Sequence, residues 1–210
     1  MKTILTVWAH REVQATVNRH LPYWPARQGD LIFLCPVDSV IETTYPVLAM
    51  ERSMHHGTEI NRKFRRMLEF WLTMDYERFV FMEYDALCLS PEFPELDPGK
   101  LYGNLFKSDQ REFKGHFFLH PPITVCRPVL EKLVAFAKTV PDETDAYWDR
   151  YLGYVCEFGK IPFDGYWGLG YAQNTIQPEH IPAAVEARRN GAVMYHGVKS
   201  GAVLKAITSV

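Results

Sequence analysis

The sequence lacks the features that mark zinc-binding, membrane-spanning and nucleic-acid-binding proteins. No C-x-x-C spacing links its four cysteines, which argues against a zinc site or a dithiol redox motif. We interpret them as buried thiols in a reducing compartment and therefore expect a cytoplasmic protein. No apolar run approaches the ~20 residues that span a bilayer, so no transmembrane segment is predicted. The 23 basic and 25 acidic residues give a net charge of −2, which provides no general attraction to nucleic acid.

Common phosphate-binding and nucleophile motifs are missing as well. The chain contains no G-x-x-x-x-G-K, G-x-G-x-x-G or G-x-S-x-G pattern. This argues against a P-loop protein, a dinucleotide-binding Rossmann protein and a serine hydrolase. The 210 residues are 47% hydrophobic, which is enough for one core, and no repeat or linker divides them. We therefore expect a single domain. Aromatic residues make up 14% of the chain, and their flat rings suit a site that stacks sugars or bases.

In the first half of the chain, short apolar runs alternate with helical patterns. Continuous apolar runs at residues 3–8, 30–35 and 78–82 are typical of strands covered on both faces of a parallel sheet. Residues 12–20 are predicted to form one helix. A second helix is predicted after Thr58, which can cap it, and its apolar face consists of Ile60, Phe64, Met67, Leu68, Trp71 and Leu72. This alternation predicts an α/β fold with a mixed, mostly parallel sheet flanked by helices.

The second half has a different pattern. We predict strands at residues 101–106 and 123–126 on either side of a turn-rich segment, residues 116–122. One helix is predicted to open at Pro128 and another to run from about Thr144 to Phe158. The remainder is predicted to be loops, a short strand at residues 192–195 and a tail.

An acidic pair follows the third apolar run. Glu83 and Asp85 are two residues apart, so on an extended strand their side chains point to the same side. Ligands of parallel α/β sheets bind at the carboxyl ends of the strands, and Mg²⁺ or Mn²⁺ prefers oxygen ligands. The pair is therefore a candidate metal site. The alternative is that both acids are turn or capping residues.

A late histidine and lysine strengthen the metal interpretation. His196 can offer an imidazole to the same cation, and Lys199 can offer an ammonium group to a diphosphate, if the fold returns them to the acidic pair. The alternative is a surface histidine and lysine in a glycine-flanked loop.

Taken in order, these features resemble nucleotide-sugar-dependent glycosyltransferases of the GT-A type. The resemblance rests on the strand end at residues 79–86, F-V-F-M-E-Y-D-A, and on the late H-G-V-K at residues 196–199. It implies a GT-A-like, Rossmann-like fold in which a D-x-D motif and a late histidine hold Mn²⁺ or Mg²⁺ against the donor diphosphate. By position, Asp85 matches the second acid, Glu83 stands in place of the first with a longer arm, and His196 matches the late ligand.

The resemblance also implies that the two halves of the chain bind different substrates. Residues 1–90 would bind the nucleotide-sugar donor, and residues 91–210 would bind a carbohydrate or other hydroxyl acceptor. On the donor side it implies roles for Trp8, His10 and Arg11 beside the nucleotide, Asp38 near the base or ribose, and Asn61 or Arg62 near the diphosphate or donor sugar.

Two carboxylates of the second half are candidates for the general base that takes the acceptor's proton. Asp149 lies on the aromatic helix, and Asp164 lies in the glycine-containing loop of residues 163–168. The alternatives are a helix-surface charge for Asp149 and a turn residue that caps its own backbone for Asp164. His116 and His120 could line the donor pocket. The alternative is that they are packed, hydrogen-bonded core histidines, and we leave both out of the catalytic set.

Two functions from different classes remain open at this stage. The first is a metal-dependent glycosyltransferase that uses a nucleotide-sugar donor. The second is a non-catalytic GT-A-like module that binds a nucleotide or a glycan. A nucleotidyltransferase is disfavoured because no glycine-rich basic segment follows Val7.

Overall fold

A computed structural model describes residues 1–25, 29–50, 60–107, 117–142 and 148–210. The strands are β1 (Thr3–Trp8), β2 (Gly29–Pro36), β3 (Val47–Met50), β4 (Arg78–Glu83), β5 (Leu87–Cys88), β6 (Leu101–Lys107), β7 (Phe117–Cys126), β8 (Phe163–Gly165), β9 (Gly170–Ala172) and β10 (Met194–His196). The helices are α1 (Gln14–His20), α2 (Ile60–Thr73), α3 (Arg127–Ala137), α4 (Trp148–Phe158), α5 (Ile181–Arg189) and α6 (Gly201–Thr208).

Seven strands form one sheet in the order β3-β2-β1-β4-β7-β6-β8. The pairs β3–β2, β2–β1, β1–β4 and β6–β8 are parallel, whereas β7 is antiparallel to both β4 and β6. The sheet is therefore mixed and mostly parallel, and helices flank it, which confirms the fold class predicted from the sequence. The chain moves outward from β1 to β3 and then returns to β4 on the other side of β1, so a crevice opens between the carboxyl ends of β1 and β4.

The central strands are mostly apolar because both faces of the sheet are covered. Along β4, Phe79 and Phe81 point into one core, and Val80 and Met82 point into the other. The first core is closed by α2, α3 and α4, and the predicted face of α2 packs there through Phe64, Met67, Leu68 and Trp71. The second core is closed by α1, α5 and α6 through Val17, Ala184, Val203, Leu204 and Ile207.

A second, three-stranded sheet has the order β5-β10-β9. Its middle strand β10 pairs antiparallel with β5, which begins two residues after Asp85. Tyr195 lies opposite Leu87 in this ladder, so the next residue, His196, lies beside Ala86. The small sheet thus returns the late histidine to the end of β4.

Several predicted elements differ from the observed ones. The segment predicted to be turn-rich, residues 116–122, contains the first half of β7, because Pro121 and Pro122 lie beyond the ladder with β4, which ends at Ile123. The carbonyl of Pro121 accepts a hydrogen bond from the Asn104 side chain instead. Asp164 lies in the edge strand β8 and not in a loop. Helix α1 begins at Gln14 and follows a short 3₁₀ turn.

The predicted loops and tail at the end of the chain contain two helices. In α6, the Ser200 hydroxyl caps the helix by accepting a hydrogen bond from the backbone N–H of Val203. Thr58 and His116, and the predicted start of the helix near Thr144, lie outside the described residues. Within the described ranges, no helix combines the length and the apolar character needed to cross a bilayer.

Candidate active site

Three side chains of the types that can ligate a metal ion meet at the carboxyl end of β4. One ligand atom from each of Glu83, Asp85 and His196 lies within 4.8 Å of the others. His196 Nε2 is 3.0 Å from Glu83 Oε2 and 3.6 Å from Asp85 Oδ1. Glu83 and His196 are 113 residues apart in the sequence. Among the residues that the structure describes, this is the one group of three or more histidine, cysteine or acidic side chains with such spacing.

A tight turn and the returning strand fix this geometry. The turn after β4 is closed by the Ala86 N–H, which donates to the Glu83 carbonyl over 2.9 Å. The Val198 N–H donates to the Asp85 carbonyl over 2.9 Å, which ties the H-G-V-K segment to the acidic turn. Gly197 has a φ of 86°, and a Cβ there would lie 2.1 Å from the Gln173 carbonyl oxygen, so only glycine fits at this position.

Two buried side chains contact the backbone carbonyl groups of the same turn. His20 Nδ1, at the end of α1, lies 2.7 Å from the Tyr84 carbonyl oxygen. The Trp24 indole N–H donates to the Ala86 carbonyl over 2.9 Å. The backbone on either side of Asp85 is therefore fixed from α1 and the segment that follows it.

Glu83, Asp85 and His196 face a cavity of about 370 Å³. Its wall also includes Tyr84, His120, Trp148, Asp149, Asn174 and Lys199. The Trp148 indole N–H donates to Glu83 Oε1 over 3.0 Å and thereby orients that carboxylate. Lys199 Nζ lies 3.6 Å from Asp85 Oδ2, and 41% of its side chain is exposed, so its ammonium group reaches the open side of the cavity.

Asp85 has an environment that suits a cation. Burial raises the pKa of this carboxyl group, and the nearby charges of His196 and Lys199 oppose that shift. Burial by itself lowers the pKa of His196, but the carboxylates of Asp85 and Glu83 outweigh burial and raise it. Asp85 Oδ1 is buried and accepts no hydrogen bond. Because a buried carboxylate oxygen without a donor is costly, this atom fits a metal ion as its partner.

Asp149 lies in this cavity, whereas Asp164 does not line it. Asp149 Oδ2 is 3.3 Å from His120 Nε2, and Oδ1 accepts a hydrogen bond from the Arg150 N–H. Burial raises the pKa of the Asp149 carboxyl group, and the charge of Glu83 adds to the shift. Burial also lowers the pKa of His120 to about 4, so this imidazole is neutral near pH 7.

Asp164 is occupied by other protein groups. Its Oδ2 lies 2.9 Å from Lys100 Nζ, and its Oδ1 accepts hydrogen bonds from the Gly165 N–H and the Trp167 indole. The hydrogen bonds from Lys100 and Trp167 lower the pKa of this carboxyl group. A carboxylate with a lowered pKa and two bonded oxygens is a poor proton acceptor.

The residues expected near the nucleotide lie at the carboxyl ends of β1 and β2. Trp8 is 1% exposed and lies opposite Glu83 in the β1–β4 ladder, so it packs in the core below the site. The His10 ring contacts the Tyr84 ring edge-on at 5.8 Å. The Arg11 N–H donates to the Ser39 carbonyl, which brings the loop after β1 against the loop that carries Asp38. Both Arg11 and Asp38 are exposed.

Neither Asn61 nor Arg62 is among the residues that line the cavity. Asn61 is fully buried, its amide donates to the Val140 carbonyl over 2.8 Å, and its oxygen accepts a hydrogen bond from the Tyr151 hydroxyl. The side chain thus joins α2 to α4, which leaves it no face for a donor sugar. Arg62 is partly buried on the same helix.

Nothing in the sequence places Trp148, His20 or Asn174 at the site. His120, by contrast, is a candidate for the donor pocket from the sequence, and it does line the cavity. Trp148 carries the helical spacing of a core aromatic. His20 and Asn174 belong to no motif. No local signal marks these three side chains, because their placement depends on pairing between distant elements.

The fold has a counterpart among solved structures. A glycosyltransferase involved in the glycosylation of the major capsid of PBCV-1 superposes with a TM-score of 0.51 at 12% sequence identity, over 100% of this chain and 98% of that chain. No protein-family model matches the sequence, and no curated protein matches it either. The chain therefore has a glycosyltransferase-like fold, and an acidic and histidine cluster lies at the carboxyl edge of its sheet.

Proposed function

We propose that this chain is a metal-dependent glycosyltransferase of the GT-A type, which moves a sugar from a nucleotide-sugar donor to a hydroxyl acceptor. The observation that carries the proposal is the convergence of Glu83, Asp85 and His196 on one cavity, with Asp85 Oδ1 buried and without a hydrogen bond. The position of the cavity at the carboxyl ends of the strands and the glycosyltransferase-like fold support it.

The donor set fits Mn²⁺ or Mg²⁺. Carboxylate oxygens suit both ions, and an imidazole in the set favours Mn²⁺. When bound, the cation supplies Lewis-acid stabilisation of the negative charge on a leaving nucleoside diphosphate. Trp148 keeps Glu83 oriented through its hydrogen bond, which compensates for the longer arm of a glutamate.

Other residues of the proposed donor side bind and orient. Lys199, at the open side of the cavity, adds a second positive charge for the diphosphate. His10, Arg11 and Asp38 border the same carboxyl edge and form the nucleotide-binding rim, and Trp8 forms its floor.

Asp149 is the proposed general base. It lines the cavity that contains the metal-ligating cluster. Its Oδ1 accepts a hydrogen bond from the Arg150 backbone N–H, and its Oδ2 lies near the neutral His120. In this role Asp149 accepts the proton of the acceptor hydroxyl, and His120 orients the carboxylate.

A thermal-shift screen tests the function. The purified chain is heated with UDP-, GDP-, CMP- and dTDP-linked sugars, each with Mn²⁺ or with EDTA, because a ligand of the native state raises the melting temperature. We expect one nucleotide class to raise it only in the presence of Mn²⁺. Asp85→Asn removes the shift, and the matched variant Asp75→Asn, at a fully exposed acid, keeps it.

Each other result contradicts part of the proposal. A shift that is equal in Mn²⁺ and EDTA points to a nucleotide-binding module without a metal. The absence of a shift with every donor argues against nucleotide-sugar binding. An unchanged shift in Asp85→Asn removes the assigned metal centre.

A further inference from the structure

Trp167 is unusual among the five tryptophans, all of which lie in the described residues. Its exposure is 72%, whereas Trp8, Trp24, Trp71 and Trp148 are buried. An exposed indole in a folded protein leaves a large flat apolar surface in water. This residue therefore offers a contact surface for a ligand.

The indole is exposed but held in place. Its N–H donates to Asp164 Oδ1 over 2.6 Å, and Asp164 in turn pairs with Lys100 through its other oxygen. Part of the ring lies against Gly165, where an added Cβ would be 3.2 Å from the indole Cε2 atom. Because these contacts fix the ring before any ligand arrives, binding on its open face costs little conformational entropy.

The groups beside the ring define the ligand. Lys100 and Asp164 are both partly exposed, so an ammonium donor and a carboxylate acceptor border the apolar ring. A pyranose has a flat C–H face that can pack on an indole. The hydroxyl groups at its edge can accept a hydrogen bond from the ammonium group and donate one to the carboxylate. We propose that Trp167, with Lys100 and Asp164, forms a subsite for one sugar residue of a glycan.

The position of the loop connects this subsite to the cavity. Gly170, three residues after Trp167, lies so close to Asn104 that an added Cβ would be 2.3 Å from its side-chain oxygen. Asn104 pairs with His120 across β6 and β7, and His120 lines the cavity. Asn174, shortly after the loop, lines it as well. We therefore assign the subsite to the acceptor side of the proposed transferase, and this assignment rests on the proposed function. The acceptor is then a glycan.

The test combines a glycan array with tryptophan fluorescence. The labelled chain is applied to a printed array of hexose, deoxyhexose, pentose and amino-sugar glycans, in EDTA and again with Mn²⁺ and each nucleoside diphosphate. The glycan that gives the strongest signal is then titrated in solution while acrylamide quenches the exposed tryptophan. We expect the glycan to protect Trp167 from acrylamide, and Trp167→Ala to weaken binding about tenfold, the scale of one stacked ring.

Matched variants separate this subsite from the metal centre and from the stability of the fold. Phe158→Ala removes another exposed aromatic ring, on α4, and keeps glycan binding. Asp85→Asn keeps glycan binding in EDTA even where it abolishes the donor-induced thermal shift, so failure of the transferase proposal is distinguishable from failure of the subsite. Asp164→Asn weakens binding and leaves the melting temperature within a few degrees of the wild type.

Two results overturn the subsite. In the first, no glycan of the array binds in a way that depends on Trp167 under any of the conditions. In the second, sedimentation shows that the wild type is a dimer and Trp167→Ala a monomer, which assigns the exposed ring to a contact between two copies of the chain.

Discussion

Two aspartates of the second half differ in what they can do because they differ in their partners. Asp164 gives both oxygens to Lys100, Gly165 and Trp167, and its pKa is lowered. Asp149 lies in the cavity beside His120, and burial raises its pKa. Only Asp149 combines access to the cavity with the chemistry of a proton acceptor. The sequence presents both as acids among aromatic residues and does not distinguish them.

Replacing Asp149 tests the base. Asp149→Asn keeps the size of the side chain and an oxygen for the Arg150 N–H, but its amide cannot take a proton. We expect kcat for sugar transfer to fall by about 10²- to 10⁴-fold while the Mn²⁺-dependent donor shift remains. Initial rates at saturating donor and acceptor measure this loss. Asp75→Asn serves as the control, and a variant with wild-type kcat would remove Asp149 from the mechanism.

The end of α1 supports the turn that carries Asp85. His20 is buried, and burial lowers its pKa to about 4, although the hydrogen bond to the Tyr84 carbonyl opposes the shift. The imidazole is therefore neutral in the folded chain near pH 6, where half or more of the unfolded chains carry the charge. Folding and protonation of His20 compete with each other.

This competition predicts how stability depends on pH. The folded pKa lies below the unfolded value of 6.5, so the contribution of His20 is complete above pH 6.5 and is lost as the pH falls toward 4. We expect about 2 kcal/mol of unfolding free energy to disappear between pH 7 and pH 5 on account of this group. His20→Asn keeps a donor near the Nδ1 position and does not titrate in this range.

Urea denaturation of the wild type and of His20→Asn at both pH values measures the effect. The variant loses stability at pH 7 because it leaves space in the core, but its further loss between pH 7 and pH 5 is smaller than that of the wild type by about 2 kcal/mol. Parallel losses in the two proteins would show that His20 is not buried as a neutral group. His120 titrates in both proteins, so its contribution cancels in the comparison.

The elements that could be predicted are those with strong local patterns. We could predict β1, β2 and β4 because strands buried on both faces require nearly continuous apolar residues. We could predict α2 because its apolar residues recur at helical spacing. The first half of β7 was hidden by Pro121 and Pro122, whose missing N–H groups are tolerated where the ladder with β4 has ended. Helix α5 buries only Ala184 and so has little amphipathic signal. Helix α6 does carry a capping serine and three buried apolar residues, a pattern that would have been sufficient to predict it.

The site depends on the topology that joins distant parts of the chain. The alternation of strands and helices predicts that Glu83 and Asp85 lie at the carboxyl edge of a parallel sheet, and the confirmed fold has that edge. The arrival of His196 depends on the antiparallel pairing of β10 with β5, and that of Asp149 on the packing of α4 against β7. Pairings between segments so distant in sequence leave no local signal, so the sequence yields the ligands as candidates without their geometry.

A titration with Mn²⁺, followed by electron paramagnetic resonance, tests whether Glu83, Asp85 and His196 form a metal centre. The signal of free Mn²⁺ decreases as the ion binds, with or without each nucleoside diphosphate. We expect the wild type and Asp75→Asn to bind a single Mn²⁺ per chain, more tightly with one of the nucleotides, and Asp85→Asn to bind it at least about tenfold more weakly. Equal binding by Asp85→Asn, or no binding by the wild type with any nucleotide, would contradict the assigned metal centre.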